Sequence, residues 1–172
     1  MRLVKQVLLR SVVMFAALVL AFAVVSCSQA EQEANEPLFY HTVRFELRPE
    51  ADRAELERVL GMMRELGEKL DVVESYVVGP DLSKEFDVGA TYVLRGYDGY
   101  KKYLYDPLHL EIDKAGLPLV KTMVSFDITD SKDPQAMEKI AEIHRRRIEE
   151  VPGLAELLRQ MESYKGAGVD EK

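Results

Sequence analysis

The sequence predicts an α+β domain built on one antiparallel sheet, in the order βαββαβ. Four segments alternate apolar and polar residues with a period of two, and the stretches between them repeat every three to four residues. The first segment sets Phe39, His41, Val43, Phe45 and Leu47 against Tyr40, Thr42, Arg44 and Glu46, which is a strand with one buried face. A helix opens after Pro49-Glu50, with Leu56, Val59, Leu60, Met63, Leu66 and Leu70 on one face. The second strand runs from about Val72 to Val78 and stops at Gly79-Pro80. In the third, about Phe86 to Arg95, residues Phe86, Val88, Ala90, Tyr92 and Leu94 share a face.

A broken helix comes next. Tyr97 to Tyr105 forms its first half, and Asp106-Pro107 starts a second turn of helix that ends by Gly116 and Pro118. Asp before Pro suits an N-cap and first-turn pair. The fourth strand, about Leu119 to Ile128, alternates Thr122, Val124, Phe126 and Ile128 with Lys121, Met123, Ser125 and Asp127. This order is the ferredoxin-like arrangement. Beyond it, residues 130–172 form a helical extension. Met137, Ile140, Ala141, His144, Ile148 and Val151 lie on one face, and Leu154, Leu157, Leu158 and Met161 repeat the pattern after Pro152-Gly153. These helices are expected to pad the outside of the domain, with Arg145-Arg146-Arg147 solvated and paired to nearby glutamates.

Residues 39–129 resemble the stress-responsive A/B barrel (Dabb) family of the dimeric α+β barrel superfamily. The resemblance rests on His41-Thr-Val-Arg-Phe45-Glu-Leu47, on Tyr103 and His109 with Pro107 between them, and on the closing Val124-Ser-Phe126-Asp127. It implies a homodimer whose two sheets pair into a dimeric α/β barrel. Elementary packing agrees, because helices on one side leave the other sheet face uncovered. That face carries Tyr40, Thr42, Arg44 and Glu46, which suits a partly polar interface. By resemblance to polyketide cyclases of this fold, Tyr103 and His109 are the candidate catalytic residues and His41 the candidate substrate-binding residue. There the histidine takes a proton from carbon next to a carbonyl, and the tyrosine steadies the enolate. A structural reading stands beside this one: His109 fixes the helix break, His41 is a satisfied core histidine, and Tyr97, Tyr100, Tyr103 and Tyr105 are helix packing. Asp106 and Gly89 stand where the cyclase pattern has further histidines.

Residues 1–26 read as a signal peptide. Arg2, Lys5 and Arg10 precede an apolar run of 15 residues, Ser11 to Val25, which is short of the roughly 20 needed to span a bilayer. The run ends in Val24-Val25-Ser26-Cys27, which resembles the lipobox of bacterial lipoproteins and implies a lipid on Cys27. Multiple acyl chains, each worth about 0.8 kcal/mol per buried CH₂, hold a protein stably at a membrane. Residues 27–38 are a polar tether whose reach is on the order of 18 Å. Ser28 stands where an aspartate would favour retention in the inner membrane, so the expected location is the outer membrane, facing the periplasm.

Cys27 is the only cysteine, so no disulfide is available. The formal charge of −7 falls to −10 when the three bases of the signal are removed, a poor balance for binding nucleic acid. The three histidines and single cysteine make no zinc pattern, there is no glycine-rich phosphate loop, and the tryptophan used by haem-degrading relatives is absent. No cofactor is expected. Two functions remain: a lipid-tethered dimer that binds a small apolar ligand or a protein, and a cyclase-like or isomerase-like enzyme using His109 and Tyr103.

Overall fold

The computed structural model describes residues 36–167; the expected signal peptide, Cys27 and most of the expected tether lie outside them. Strand β1 (Leu38–Leu47) sits centrally, antiparallel to β3 (Val88–Arg95) on one side and to β4 (Val120–Thr129) on the other. Strand β2 (Val73–Pro80) lies outside β3, and a short β5 (Ser163–Lys165) runs parallel to β4. The sheet order is β2-β3-β1-β4-β5, a ferredoxin-like sheet with one added strand. The sequence did not announce β5, because three residues are too few to show a period of two.

Helix α1 (Arg53–Lys69) begins where Asp52 accepts hydrogen bonds from the amides of Ala54 and Glu55, three residues after the Pro49-Glu50 start read from sequence. It packs through Leu56, Val59, Leu60, Met63 and Leu66. Gly67 lets the Tyr76 ring lie flat against the helix; a Cβ there would come within 2.4 Å of that ring. Strand β2 passes through Gly79-Pro80 rather than stopping before it, pairing Pro80 with Val88. A proline is tolerated there because β2 is an edge strand. Phe86 falls outside β3, and its ring lies 4.4 Å from the Arg44 guanidinium carbon.

Helices α2 (Gly96–Tyr105) and α3 (Pro107–Gly116) are broken at Asp106, as expected. Asp106 caps α3 by accepting from the Leu108 amide at 2.8 Å. A 3₁₀ turn, Leu117–Leu119, leads into β4. The extension forms α4 (Ala136–Glu150) and α5 (Leu154–Arg159).

The extension corrects the sequence reading in three places. Helix α4 packs on α2 and reaches the interior instead of padding the outside. Met137 is 84% exposed, off the buried face, which is carried by Ile140, His144 and Arg147. Arg147 is buried, whereas Arg145 and Arg146 make the expected surface pairs with Glu138 and Glu142. Leu154, Met161 and Tyr164 then form a second apolar cluster with Leu117, Val120 and Met123.

Among the described residues, no helix covers the opposite sheet face. Tyr40, Val77, Phe126 and Ile128 are exposed on or beside it, and the Thr42 and Thr91 hydroxyls meet there at 2.9 Å. Among the described residues, no helix is long and apolar enough to cross a membrane.

Candidate functional site

Between the helices and the inner sheet face lies a cavity of about 100 Å³. Aliphatic side chains of α1, β1 and β4 form most of its wall, including Val43, Leu60, Met63 and Met123. Polar groups enter from five elements: His41 on β1, Ser125 on β4, Tyr103 on α2, His109 on α3, and His144 and Arg147 on α4. The three candidate residues read from sequence are therefore brought together. The extension adds two more that the family pattern could not supply.

The helix break explains how His109 is placed. The last turn of α2 leaves carbonyl groups without partners in the helix. His109 Nδ1 donates to the Tyr103 carbonyl at 3.0 Å, and Arg147 Nε donates to the Leu104 carbonyl at 2.6 Å. A carbonyl only accepts, so Nδ1 carries the proton and Nε2 keeps its lone pair. The Tyr103 and His109 rings stand edge to face with centroids 4.6 Å apart. Burial, reinforced by the charge of Arg147, pushes His109 well below its ordinary pKa of 6.5 and keeps it neutral. Arg147 in turn donates to Asp113, whose other oxygen lies 3.7 Å from His109 Nε2, beyond hydrogen-bond range. Burial raises the Asp113 carboxyl above its usual range, against the pull of Arg147. Tyr103 is raised well above 10, chiefly by burial, so its hydroxyl keeps its proton.

A second cluster lies around His41. Its Nδ1 is 3.0 Å from Asp127 Oδ1 and 2.8 Å from the Tyr100 hydroxyl. The same hydroxyl is 2.9 Å from Asp127 Oδ1 and 2.9 Å from His144 Nε2. Burial opposes the charge on Asp127, but the hydrogen bond and field of His41 and the bond from Tyr100 outweigh it and hold the carboxyl below its ordinary range. Burial, reinforced by the neighbouring His41 ring, pushes His144 down to about 3.

His41, Asp127 and His144 offer ligand atoms within 4.8 Å of one another, a donor set a divalent ion can take. The Tyr100 hydroxyl stands at the point where they converge and hydrogen-bonds to all three. The arrangement is that of a satisfied hydrogen-bond network. Sequence reading missed it because its members are separated by 44 residues or more, apart from the Tyr100–Asp127 and Asp127–His144 steps. Ser125 Oγ is buried on the cavity wall and makes no hydrogen bond. Gly89 lies opposite Arg44 on the outer sheet face, so no side chain at that position would reach the cavity.

A helix-covered sheet with a polar-studded cavity beneath the helices defines a ferredoxin-like α+β domain. The chain belongs to the stress responsive A/B barrel domain family, whose pattern matches residues 39–130, more than half of its length. A dimeric ferredoxin-like protein of unknown function from Thermobifida fusca is 20% identical, with a TM-score of 0.51 over 55% of this chain and 92% of that one. A Dabb family protein from Mesorhizobium loti is 19% identical, with a TM-score of 0.48 over 54% of this chain and 96% of that one. A hydroxynitrile lyase from Passiflora edulis is 14% identical, with a TM-score of 0.49 over 56% of this chain and 95% of that one. No curated protein matches the chain. The extension beyond residue 130 lies outside the family match.

Proposed function

We propose that this protein is a lipid-tethered homodimer that binds a small, uncharged, largely apolar molecule in the cavity of each subunit. The observation that carries this reading is the largely aliphatic cavity wall with the unpartnered Ser125 hydroxyl on it. A cavity on the order of 150 Å³ holds a benzene-sized molecule, so the present one, smaller than that, sets a single small ring as the upper limit. The Arg147 guanidinium is occupied by Asp113 and the Leu104 carbonyl, and His109 and His144 are held neutral, which favours ligands without charge. Dimeric neighbours and the exposed residues Val77, Phe126 and Ile128 support pairing through the sheet. The lipobox ending at Cys27 supports the anchor and a place in the cell envelope, on the outer membrane facing the periplasm.

Phenol and benzoate are suitable probes in calorimetric titration. Phenol is expected to bind and benzoate to bind at least tenfold more weakly; equal affinity overturns the reading. Lipidation is tested by labelling with palmitate, which Cys27→Ala is expected to abolish together with globomycin-sensitive processing.

One observation favours a second reading, proton transfer at carbon. The Tyr103 ring stands edge to face against His109, whose Nε2 keeps its lone pair, and both residues line the cavity. This is the pair expected for a base and an enolate-steadying donor. Hydrogen–deuterium exchange at the carbons next to the carbonyl of cyclohexanone, followed by NMR, tests it. Exchange no faster than in buffer excludes proton transfer and leaves the binding role standing.

A further inference from the structure

We infer that His41 is the proton acceptor of the cavity, set for that task by Asp127 and, through Tyr100, by His144 of the C-terminal extension. The inference rests on the proton-transfer reading for its reaction, moves the base from His109 to His41, and places the protons by counting donors and acceptors around an ionised Asp127.

Asp127 is ionised and can only accept, so both the His41 Nδ1–H and the Tyr100 O–H donate to it. Tyr100 holds its proton because burial and the neighbouring Asp127 charge push it well above 10. Having given that proton to Asp127, the Tyr100 oxygen must accept from His144, whose Nε2 therefore carries hydrogen. The His41 Nδ1–H is then shared between Asp127 at 3.0 Å and the Tyr100 oxygen at 2.8 Å, which fixes the ring's proton on Nδ1. Its other nitrogen, Nε2, is left with a lone pair, and the ring is part of the cavity wall.

The two cavity imidazoles thus present the same nitrogen but different backing. Behind His109 stands a neutral carbonyl, and the Arg147 charge opposes a second proton on the ring. Behind His41 stands a carboxylate that stabilises the imidazolium as it forms. The groups facing His41 are Asp127 from β4, Tyr100 and Tyr103 from α2, His109 from α3, and His144 and Arg147 from α4. Among them Asp127 is the one anion in direct contact. In the reaction, the C–H bond next to the ligand's carbonyl breaks and an N–H bond forms at His41 Nε2. The electron pair moves to the carbonyl oxygen, where the Tyr103 hydroxyl donates to it, and return of the proton restores the ring. His41 is then the catalytic residue, and Asp127, Tyr100 and His144 are positioning residues.

Long-range ¹H–¹⁵N spectra of the ¹⁵N-labelled chain read the tautomer of each of its three histidines without any ligand. Protons are expected on Nδ1 of His41 and His109 and on Nε2 of His144. Asp127→Asn keeps the shape, and its amide can donate to Nδ1; it is expected to move the His41 proton to Nε2 and leave His109 unchanged. A proton on Nε2 of His41 in the unaltered chain overturns the proposal. With cyclohexanone, His41→Gln and Asp127→Asn are expected to slow exchange by roughly a hundredfold or more. His144→Phe should slow it about threefold to tenfold, the worth of one hydrogen bond, and His144→Gln, which returns an N–H donor, should recover most of that. Loss of exchange on His109→Gln with Asp127→Asn unaffected also overturns it. If the unaltered chain exchanges nothing, the proton-transfer reading fails and His41 is no acceptor in a reaction, whatever its tautomer.

Discussion

Arg147 of α4 donates to the carboxylate of Asp113 on α3, joining the extension to the Dabb domain through a buried ion pair. Breaking such a pair from one side strands a charge in the interior. Arg147→Met is expected to cost about 3–5 kcal/mol in urea unfolding. Removing both charges, as in Arg147→Met with Asp113→Leu, should restore most of the loss. If the single change costs less than about 1 kcal/mol, the extension is docked by other contacts.

Acid should destabilise the fold before its carboxylates titrate. His109 and His144 are both depressed by burial, His144 to about 3, so the folded chain refuses protons that the unfolded chain accepts near pH 6.5. Their contribution is full above pH 6.5 and is lost as pH falls below it, at about 1.4 kcal/mol per pH unit for each ring. Asp113, raised by burial, works in the opposite sense where carboxylates titrate. Urea midpoints measured from pH 7 to 4 should fall steadily, and His144→Phe should make that fall shallower.

Pairing through the sheet should be sensitive to charge on its outer face. Phe126 is 41% exposed and Ile128 is 63% exposed in the isolated subunit. Phe126→Asp is expected to weaken self-association by on the order of a hundredfold or more in sedimentation equilibrium, the cost of a few kcal/mol at an interface centre. Near-ultraviolet circular dichroism should remain that of the folded chain.

Ser125 offers a test that separates stability from binding. Its hydroxyl is buried without a partner, so Ser125→Ala should leave the ligand-free chain equal or up to about 1 kcal/mol more stable. Phenol affinity should fall if the hydroxyl meets the ligand's oxygen, and calorimetry on the same variant reads that directly.

The strands and paired helices were legible because their signals are local. Alternation from Phe39 to Leu47 and the Asp106-Pro107 break each lie within a few residues, and both reappear in the fold. Tyr103, His109 and His41 were legible as a set only through a resemblance, since nothing in their spacing brings β1 beside α3. The Tyr100 hub was hidden more deeply. A tyrosine on a helix that also carries Tyr97, Tyr103 and Tyr105 looks like packing until the register of His41 against Asp127 is known. Arg147 was misread for the same reason, because two neighbouring arginines do remain at the surface while the third turns inward.

The parallel strand β5 has a bearing on solubility. An unpaired sheet edge is a template on which another chain can add a strand, and a protein concentrated at a membrane by lipid meets its own copies often. Ser163–Lys165 occupies part of the β4 edge, and Pro80 ends the β2 edge with a residue that has no amide hydrogen to offer. Both edges are thereby blunted. On the proposed lipid anchor, crowding at a bilayer should then favour face-to-face pairs over growing ribbons.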